Sequence, residues 1–314
     1  AALALGVASC KKDTKGTTAS GIDYEFFKGS ARSALASEGD IYEFDYTLII
    51  GDSTVQSSVD MNNNEAIKFG LLPMNEENPF ELGIPLEALY LMNSGDSAIF
   101  KVPSKVYFEK TGAPTQPWIQ ETDSFKWVFN VRKITTVSDF VAANEKLRKV
   151  SDDFQTMDGG LQYKIVTLGE GGTKIAPNDE LSMHVSYQVG DSMIFDSYVQ
   201  NQGQPVPQMA MLPNKPGELT QGLFILQKGD SVISGQPKQE WMKDTDMHVW
   251  KVKMVDVKST KEIKAEMDKK QAEAKEAAKS QNANDVAAIE AFLKQTNVQD
   301  YKKTESGLYY VISK

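Results

Sequence analysis

Alternating apolar and polar residues recur along the chain in runs that are typical of half-buried β-strands. Residues 40–46 alternate in this way, and so do residues 125–131 and 248–254. Residues 85–92 instead place Leu86, Leu89 and Met92 on one stripe of a helix that begins at a proline. Several strands with one short central helix predict a domain of the α+β class.

Three other segments have a helical period. Residues 138–150 place four apolar residues on one face, and Ser138 is predicted to cap the helix. Residues 259–280 are rich in Ala, Lys and Glu, which predicts a solvated spacer helix. Residues 284–293 predict a second helix with one apolar stripe. We expect this stripe to pack against its own domain, with a homodimer through the helix as the alternative.

The chain repeats itself at intervals of about 140 residues, too long for a solenoid and suited to tandem domains. Ser20 to Phe26 recurs as Gly159 to Ile165 and again as Ser306 to Ile312. The Gly-Asp-Ser markers that begin at Gly51 and Gly95 recur at Gly190 and Gly229. We expect domains at 21–136 and 158–258, helical linkers at 137–157 and 259–297, and the start of a third, truncated domain at 298–314.

The first ten residues are small and apolar and end in Val7-Ala8-Ser9-Cys10. They resemble the end of a bacterial signal peptide with a lipobox, which would make Cys10 the lipidated first residue of the mature protein. The alternative is an incidental cysteine at a frayed terminus. Residues 11–20 are then predicted to be a polar tether. The lipobox implies a protein anchored in the bacterial cell envelope by its lipid, most simply at the outer membrane.

Composition disfavours several classes of function. The formal net charge is −9 and the pI is near 5.0, so no basic surface for nucleic acid is expected. His184 and His248 lie in strand-like runs without a second ligand at metal spacing, and we interpret them as structural. The chain has no phosphate loop, nucleophile elbow or dinucleotide motif. We therefore predict neither a cofactor nor a metal site.

The second repeat resembles an FKBP-type peptidyl-prolyl cis–trans isomerase. The resemblance is carried by residues 160–165, Gly169-Glu170-Gly171, Pro177, Asp179 and Phe195-Asp196-Ser197. It implies tandem domains in which a twisted antiparallel sheet wraps around a short helix, with an aromatic pocket for proline between them. It also implies that the partners are proline-containing or unfolded polypeptide segments, and that catalysis needs no cofactor.

Matching the family pocket by position gives an incomplete set in each domain. The first domain keeps Tyr46, Phe129 and Phe108, with Tyr107 as the alternative to Phe108. It has Gln56-Ser57 at the family's Phe-Asp pair and Pro85 at the tryptophan that floors the pocket.

The second domain keeps Phe195 and Asp196, has Leu219 at the floor and has Trp250 on the closing strand. Val185 replaces the strand tyrosine, although Tyr187 lies two residues further on, and the short flap at 234–237 has no tyrosine. Core packing remains the alternative for Phe195, Asp196 and Trp250, and it is the preferred interpretation of Phe44 and Trp127.

Two functions stay open at this point. The first is a lipid-anchored folding helper with prolyl isomerase activity, for which the second domain is the better candidate. The second is a non-catalytic lipoprotein whose isomerase-like domains bind polypeptides or are purely structural. In either case the first domain could serve only to hold the others away from the membrane.

Overall fold

The computed structural model describes residues 14–29, 36–74, 79–81, 83–235, 248–296, 298, 301–304 and 308–311. The described residues up to Thr260 form one compact unit, and those from Lys261 onward form another. The predicted lipobox with Cys10, and residues 236 and 237 of the predicted flap, lie outside the described residues.

The first domain is built on an antiparallel sheet in the order β1-β2-β8-β9-β3-β4, with β5 also paired to β3. A separate hairpin of β6 and β7 precedes the short helix α2. The elements in chain order are β1 (Lys15–Thr17), β2 (Asp23–Lys28), β3 (Ile41–Ile50), β4 (Ser53–Ser57), α1 (Ser58–Met61), β5 (Ile67–Gly70), β6 (Phe80–Glu81), β7 (Ile84–Pro85), α2 (Leu86–Leu91), β8 (Ser97–Pro103), α3 (Ser104–Thr111) and β9 (Ser124–Thr135).

The second domain follows a connecting helix and repeats this plan with the strand order β10-β11-β15-β16-β12-β13. Its short central helix, Leu219–Ile225, is of the 3₁₀ type, and a second 3₁₀ turn covers Asp158–Gly160. The other elements are α4 (Val137–Glu145), β10 (Gln155–Thr156), β11 (Gln162–Thr167), β12 (Glu180–Val189), β13 (Ser192–Asp196), α5 (Ser197–Gln200), β14 (Val206–Met209), β15 (Ser231–Gly235) and β16 (His248–Lys258).

The two sheets share one register. Tyr46 faces Phe129 across β3 and β9, and Val185 faces Val252 across β12 and β16. A buried serine hydroxyl accepts from the backbone N–H at the same point in each domain: Ser58 from Tyr46 at 2.9 Å, and Ser197 from Val185 at 3.0 Å. The predicted fold class, tandem α+β domains with a twisted antiparallel sheet and a short helix, is confirmed.

Each repeat opens with the same hairpin. Tyr24, Tyr163 and Tyr310 each face the residue eight positions earlier, and each hairpin turn is closed by an equivalent backbone hydrogen bond. The third hairpin pairs β17 (Tyr301–Lys303) with β18 (Tyr309–Val311). Gly21 and Gly160 have φ values of 85° and 84°, which explains why the repeated motif keeps a glycine there. The predicted tether was wrong at Lys15–Thr17, because these residues form an edge strand.

Several predicted helix boundaries were also wrong. The connecting helix α4 ends at Glu145 and is capped by Thr136, whose hydroxyl accepts from Asp139 N, and not by Ser138. The two helices predicted after the second domain form one continuous helix of 36 residues, α6 (Thr260–Gln295). A further helix, α3, directly follows Pro103. None of the described helices is long and apolar enough to cross a bilayer.

A buried aspartate ties each domain to the segment that leaves it. Asp40 accepts from Ser37 N at 3.0 Å and, through its other oxygen, from Val137 N at 2.9 Å. Asp179 likewise accepts from Ala176 N at 2.7 Å through one carboxylate oxygen and from Thr260 N at 2.9 Å through the other. Because Val137 and Thr260 are the first residues of α4 and α6, each helix begins at a carboxylate of the preceding domain.

The segment between the domains packs on the second domain. Arg148 forms two charge-assisted hydrogen bonds with the fully buried Asp230, at 2.6 and 2.7 Å. These bonds raise the pKa of the Arg148 guanidinium. The rings of Phe140 and Phe224 are nearly perpendicular, and their centroids lie 4.9 Å apart. The linker therefore forms part of the second domain's structure.

Candidate functional site

In the first domain, the predicted pocket residues Tyr46 and Phe129 come together, but inside the core. Their ring centroids lie 6.0 Å apart, and Phe44 lies 5.7 Å from Phe129. Phe129 is fully buried and Tyr46 is only 7% exposed, and burial raises the pKa of the Tyr46 phenol. These rings present no surface to a ligand, so their role is core packing.

Phe108 joins a different aromatic group. It lies on α3 and meets the edge of Phe125 at 5.7 Å. Its neighbour Tyr107 stacks on Phe125 at 4.0 Å and meets the edge of Phe80 at 5.0 Å. Burial raises the pKa of the Tyr107 phenol as well. The structure therefore places Tyr107 against the domain, with Phe108 at its side.

These rings cover Trp127, which is fully buried as the sequence predicted. Phe80, Phe125 and Tyr107 lie 5.6, 5.7 and 5.8 Å from it, and its indole Nε1 donates to Gly83 O at 3.1 Å. We call Phe80, Tyr107, Phe125 and Trp127 the aromatic cluster of the first domain. Sequence reasoning missed Phe80, because its hairpin of two-residue strands carries no periodic signal.

The second domain holds a smaller and more open aromatic group. Tyr187 stacks on Trp250 with centroids 4.1 Å apart and planes 17° apart, and it faces Phe195 across β12 and β13. The Tyr187 hydroxyl lies 2.6 Å from His248 Nδ1. Phe195, Leu219 and Trp250 are partly buried and pack against the margin of the core. We call Tyr187, Phe195 and Trp250 the open aromatic site, and Leu219, at the predicted floor, packs against the core from the central helix.

The pairing of β12 with β16 corrects the position in the pocket that the sequence assigned to Trp250. Trp250 faces Tyr187, whereas the counterpart of Phe129 is Val252, which faces Val185. Trp127 faces Leu48 at the position that Trp250 occupies in the second domain. Residues two apart on a strand share a face, so a match of aromatic residues alone cannot distinguish these two positions.

Asp196 is not part of the open aromatic site. Its carboxylate caps α5 by accepting from Tyr198 N at 2.8 Å, as the Ser57 hydroxyl caps α1 by accepting from Asp60 N. Because successive strand residues alternate, Asp196 lies on the face opposite to Phe195. There it lines a groove of about 370 Å³ beside His184, whose ring stacks on Tyr198 at 3.9 Å.

No protein-family model matches the sequence, and no curated protein matches it. Among solved structures the chain is similar to FkpA from Escherichia coli, with 20% identity and a TM-score of 0.29 over 39% of this chain and 59% of that one. It is similar to the three FKBP domains of wheat FKBP73 (14% identity, TM-score 0.28, 75% of this chain and 94% of that one). A third is the N-terminal domain of FKBP42 from Arabidopsis thaliana (14% identity, TM-score 0.28, 35% and 96%). At these scores the likeness carries no argument about the site.

Proposed function

We propose that the second domain binds proline-containing polypeptide segments and catalyses cis–trans isomerisation of their X–Pro bonds. The observation that carries the proposal is the open aromatic site, in which Phe195 and Trp250 stay partly exposed at the margin of an otherwise closed core. The resemblance of the surrounding sequence to FKBP-type isomerases supports the same activity.

The chemistry of the open aromatic site fits this reaction. Rotation about a peptide bond has a barrier of about 18–20 kcal/mol, because the twisted amide loses its resonance. Flat aromatic faces such as Trp250 suit the pyrrolidine ring of proline. An apolar site also removes water from the planar carbonyl and favours the twisted geometry over the planar one. No covalent step is required of the protein.

We propose that the first domain is not catalytic. Its own aromatic cluster encloses Trp127, the counterpart of Trp250, and Tyr46 and Phe129 are enclosed in the core. A proline ring would have to displace Tyr107 or Phe80 from contacts at 4.0 to 5.6 Å. The first domain then serves as a structural module or spacer.

The test is a prolyl isomerisation assay on the full chain with a blocked Ala-Leu-Pro-Phe tetrapeptide. Replacing Phe195 with Ala removes one face of the open aromatic site, and we expect kcat/KM to fall about tenfold, equivalent to about 1.4 kcal/mol. The matched control is Gln56→Ala, since Gln56 occupies the same register position opposite Leu48 in the first domain. We expect this control to leave the rate unchanged.

The assay also separates catalysis from binding. A full chain that does not accelerate isomerisation is no enzyme for this substrate. If it still binds the tetrapeptide and loses that binding in Phe195→Ala, the second domain is a non-catalytic polypeptide-binding module. A chain that neither binds nor isomerises the peptide contradicts the proposed function altogether.

We also propose that Cys10 is lipidated and anchors the protein in the bacterial cell envelope. The support is the Val7-Ala8-Ser9-Cys10 sequence. When the precursor is expressed in a bacterial host, Cys10→Ser should move the protein from the membrane fraction to the aqueous fraction, and mass spectrometry should show loss of the acyl chains. Unchanged fractionation would contradict the anchor. The homodimer through residues 284–293 likewise stays a proposal, which sedimentation would test.

A further inference from the structure

Two tryptophans occupy the same register position in the two domains. Trp127 faces Leu48 on β3, and Trp250 faces Tyr187 on β12. Both lie on closing strands, and both side chains are directed to the core face of their sheets. Any difference between them therefore reflects their side-chain surroundings and not their place in the fold.

The hydrogen bonding of the two indoles differs. Trp127 Nε1 donates to the backbone carbonyl of Gly83 at 3.1 Å. Trp250 Nε1 is buried from solvent and has no hydrogen-bond partner in the part of the chain that the structure describes. Such a donor is unfavourable in a folded protein, because it gives up its bond to water without replacing it. The first domain satisfies the indole internally, and the second leaves it unpaired in the open aromatic site.

The surroundings restrict what could pair with Trp250. An indole N–H is a donor only, so its partner must be an acceptor. The hydroxyl of the stacked Tyr187 is already engaged with His248 Nδ1 at 2.6 Å. The flanking Lys251 alternates with Trp250 on β16 and so lies on the opposite face of the sheet, where it lines the groove with Asp196. Tyr187, Phe195 and Trp250 themselves carry no charge, which favours a neutral acceptor over an anion.

We propose that Trp250 Nε1 donates a hydrogen bond to a backbone carbonyl of the polypeptide bound in the second domain. This inference rests on the proposed function and names a contact within the same site. The aromatic faces of the open site accommodate the apolar ring. Because Trp250 Nε1 is buried before binding, a shift of the indole ring in the complex exposes it to the main chain, and the bond then fixes the orientation of that chain. A backbone carbonyl is neutral, is present in every polypeptide and supplies the acceptor that this donor lacks.

The direct test observes the indole N–H itself. With the full chain labelled with ¹⁵N, the Trp250 and Trp127 indole resonances are assigned from Trp250→Phe and Trp127→Phe. On titration with the blocked Ala-Leu-Pro-Phe tetrapeptide, we expect the Trp250 indole proton to move downfield as its hydrogen bond forms. The Trp127 resonance should not move, because its donor is already bonded to Gly83.

The matched variants measure the contribution to binding. Trp250→Phe keeps an aromatic ring against Tyr187 but removes the donor, and we expect tetrapeptide affinity to fall about fivefold to tenfold. Trp127→Phe removes the equivalent donor in the first domain and should leave the affinity unchanged. If the loss appears in KM with little change in kcat, the bond holds substrate and transition state equally.

Each outcome decides the inference. Peptide binding that depends on Phe195, together with an unmoved Trp250 resonance and an unchanged Trp250→Phe affinity, overturns the inference while the proposed function stands. A tetrapeptide that does not bind the wild-type chain at all removes both. The resonance is read in the wild-type protein, and through-bond experiments on the wild-type chain assign it where a variant fails to fold, so the test does not depend on the variants.

Discussion

The first and second domains share strand order, register and an aspartate at the start of the helix that follows each domain. The equivalent tryptophans nevertheless differ in enclosure and in hydrogen bonding. Trp127 is enclosed by Phe80, Tyr107 and Phe125 and bonded to Gly83. Trp250 stacks on Tyr187 alone among the described rings and lacks a partner for its N–H. The shared backbone therefore places a tryptophan at the same position in both domains. The surrounding side chains, and not the backbone, determine whether that position can bind a ligand.

Among the residues that the structure describes, the domains differ in a small number of side chains from outside the sheet. Phe80 comes from a two-stranded hairpin and Tyr107 from α3, and together they close the first domain. The Gly-Asp-Ser markers that reveal the repeat lie in turns that precede strands, and they are the same in both domains. The similarity of the repeated segments therefore indicates a shared fold and does not indicate a shared activity.

The largest expected effect is on stability, at the enclosed tryptophan. Trp127→Ala removes a fully buried ring from the aromatic cluster and should destabilise the first domain by about 3–5 kcal/mol. Trp250→Ala removes a partly exposed ring and should cost about 1–2 kcal/mol. Native-state hydrogen exchange of the two sheets in the full chain measures each effect separately. Equal losses would mean that the two sites are equally closed in solution.

A second comparison concerns the two Arg–Asp pairs. Arg148→Ala leaves the fully buried Asp230 without its cation and should cost about 2–4 kcal/mol. The control is Arg132→Ala, whose partner Asp45 retains 10% side-chain exposure while Arg132 itself is 41% exposed. That change should cost about 1 kcal/mol or less. Urea unfolding of the full chain, with exchange data to locate the change, checks both, and a small Arg148 effect would show that the linker does not depend on this pair.

Much of this fold could be predicted from the sequence, because strands and hairpins depend on local patterns. The repeat itself, the helix after Pro85 and the burial of Phe44 and Trp127 follow from the recurring motif, the helical stripe and apolar content. The break expected near Ser280 does not occur, since residues 281–283 include neither glycine nor proline and continue the helix.

The site was less predictable, because it depends on contacts between distant residues. Phe80 and Trp127 meet across a long stretch of chain, and no local pattern reports that contact. The register of Trp250 was ambiguous by two residues on one strand face, and only its pairing with Tyr187 resolves it. The sequence also placed Asp196 in the pocket, and only the structure reveals that its carboxylate caps α5 instead.

Alkaline pH should affect the first domain more than the second. Burial raises the pKa of the phenols of Tyr46, Tyr90 and Tyr107 in the first domain and that of the Tyr163 phenol in the second domain. A raised pKa means that stability is fully present below the ordinary tyrosine pKa of about 10 and is lost as pH rises through the folded-state value. The first domain should therefore unfold at the lower alkaline pH.

Tyr107 offers a direct variant for this prediction. Tyr107→Phe keeps the stack on Phe125 and removes one buried ionisable group, so the midpoint of alkaline unfolding should move to higher pH. The control is Tyr198→Phe, since Tyr198 is 55% exposed and should leave the midpoint in place. Tyrosinate absorbance together with circular dichroism records both transitions. A midpoint that does not respond to Tyr107→Phe would assign alkaline unfolding to other groups.

The smallest expected effect separates the unpaired indole from an ordinary packing defect. Among the described side chains, Thr220 Oγ1 is the other buried polar atom without a partner. Thr220 lies beside Leu219 at the place that Leu86 occupies in the first domain, counting back from Gly229 and Gly95. Thr220→Val keeps the shape of the side chain, removes the unpaired hydroxyl and should stabilise the second domain by about 1 kcal/mol.

The same substitution should leave tetrapeptide affinity unchanged, because the proposed contact uses the indole N–H alone. Thr220→Ser is the control for Thr220→Val: it keeps the hydroxyl, loses the methyl group and should destabilise the domain slightly. If Thr220→Val weakens peptide binding as much as Trp250→Phe does, both unpaired atoms contact the polypeptide, and the open aromatic site extends to the central helix. If only Trp250→Phe weakens it, then of the two unpaired atoms only the indole N–H is a ligand contact, and the threonine hydroxyl is an unfilled bond that the fold tolerates.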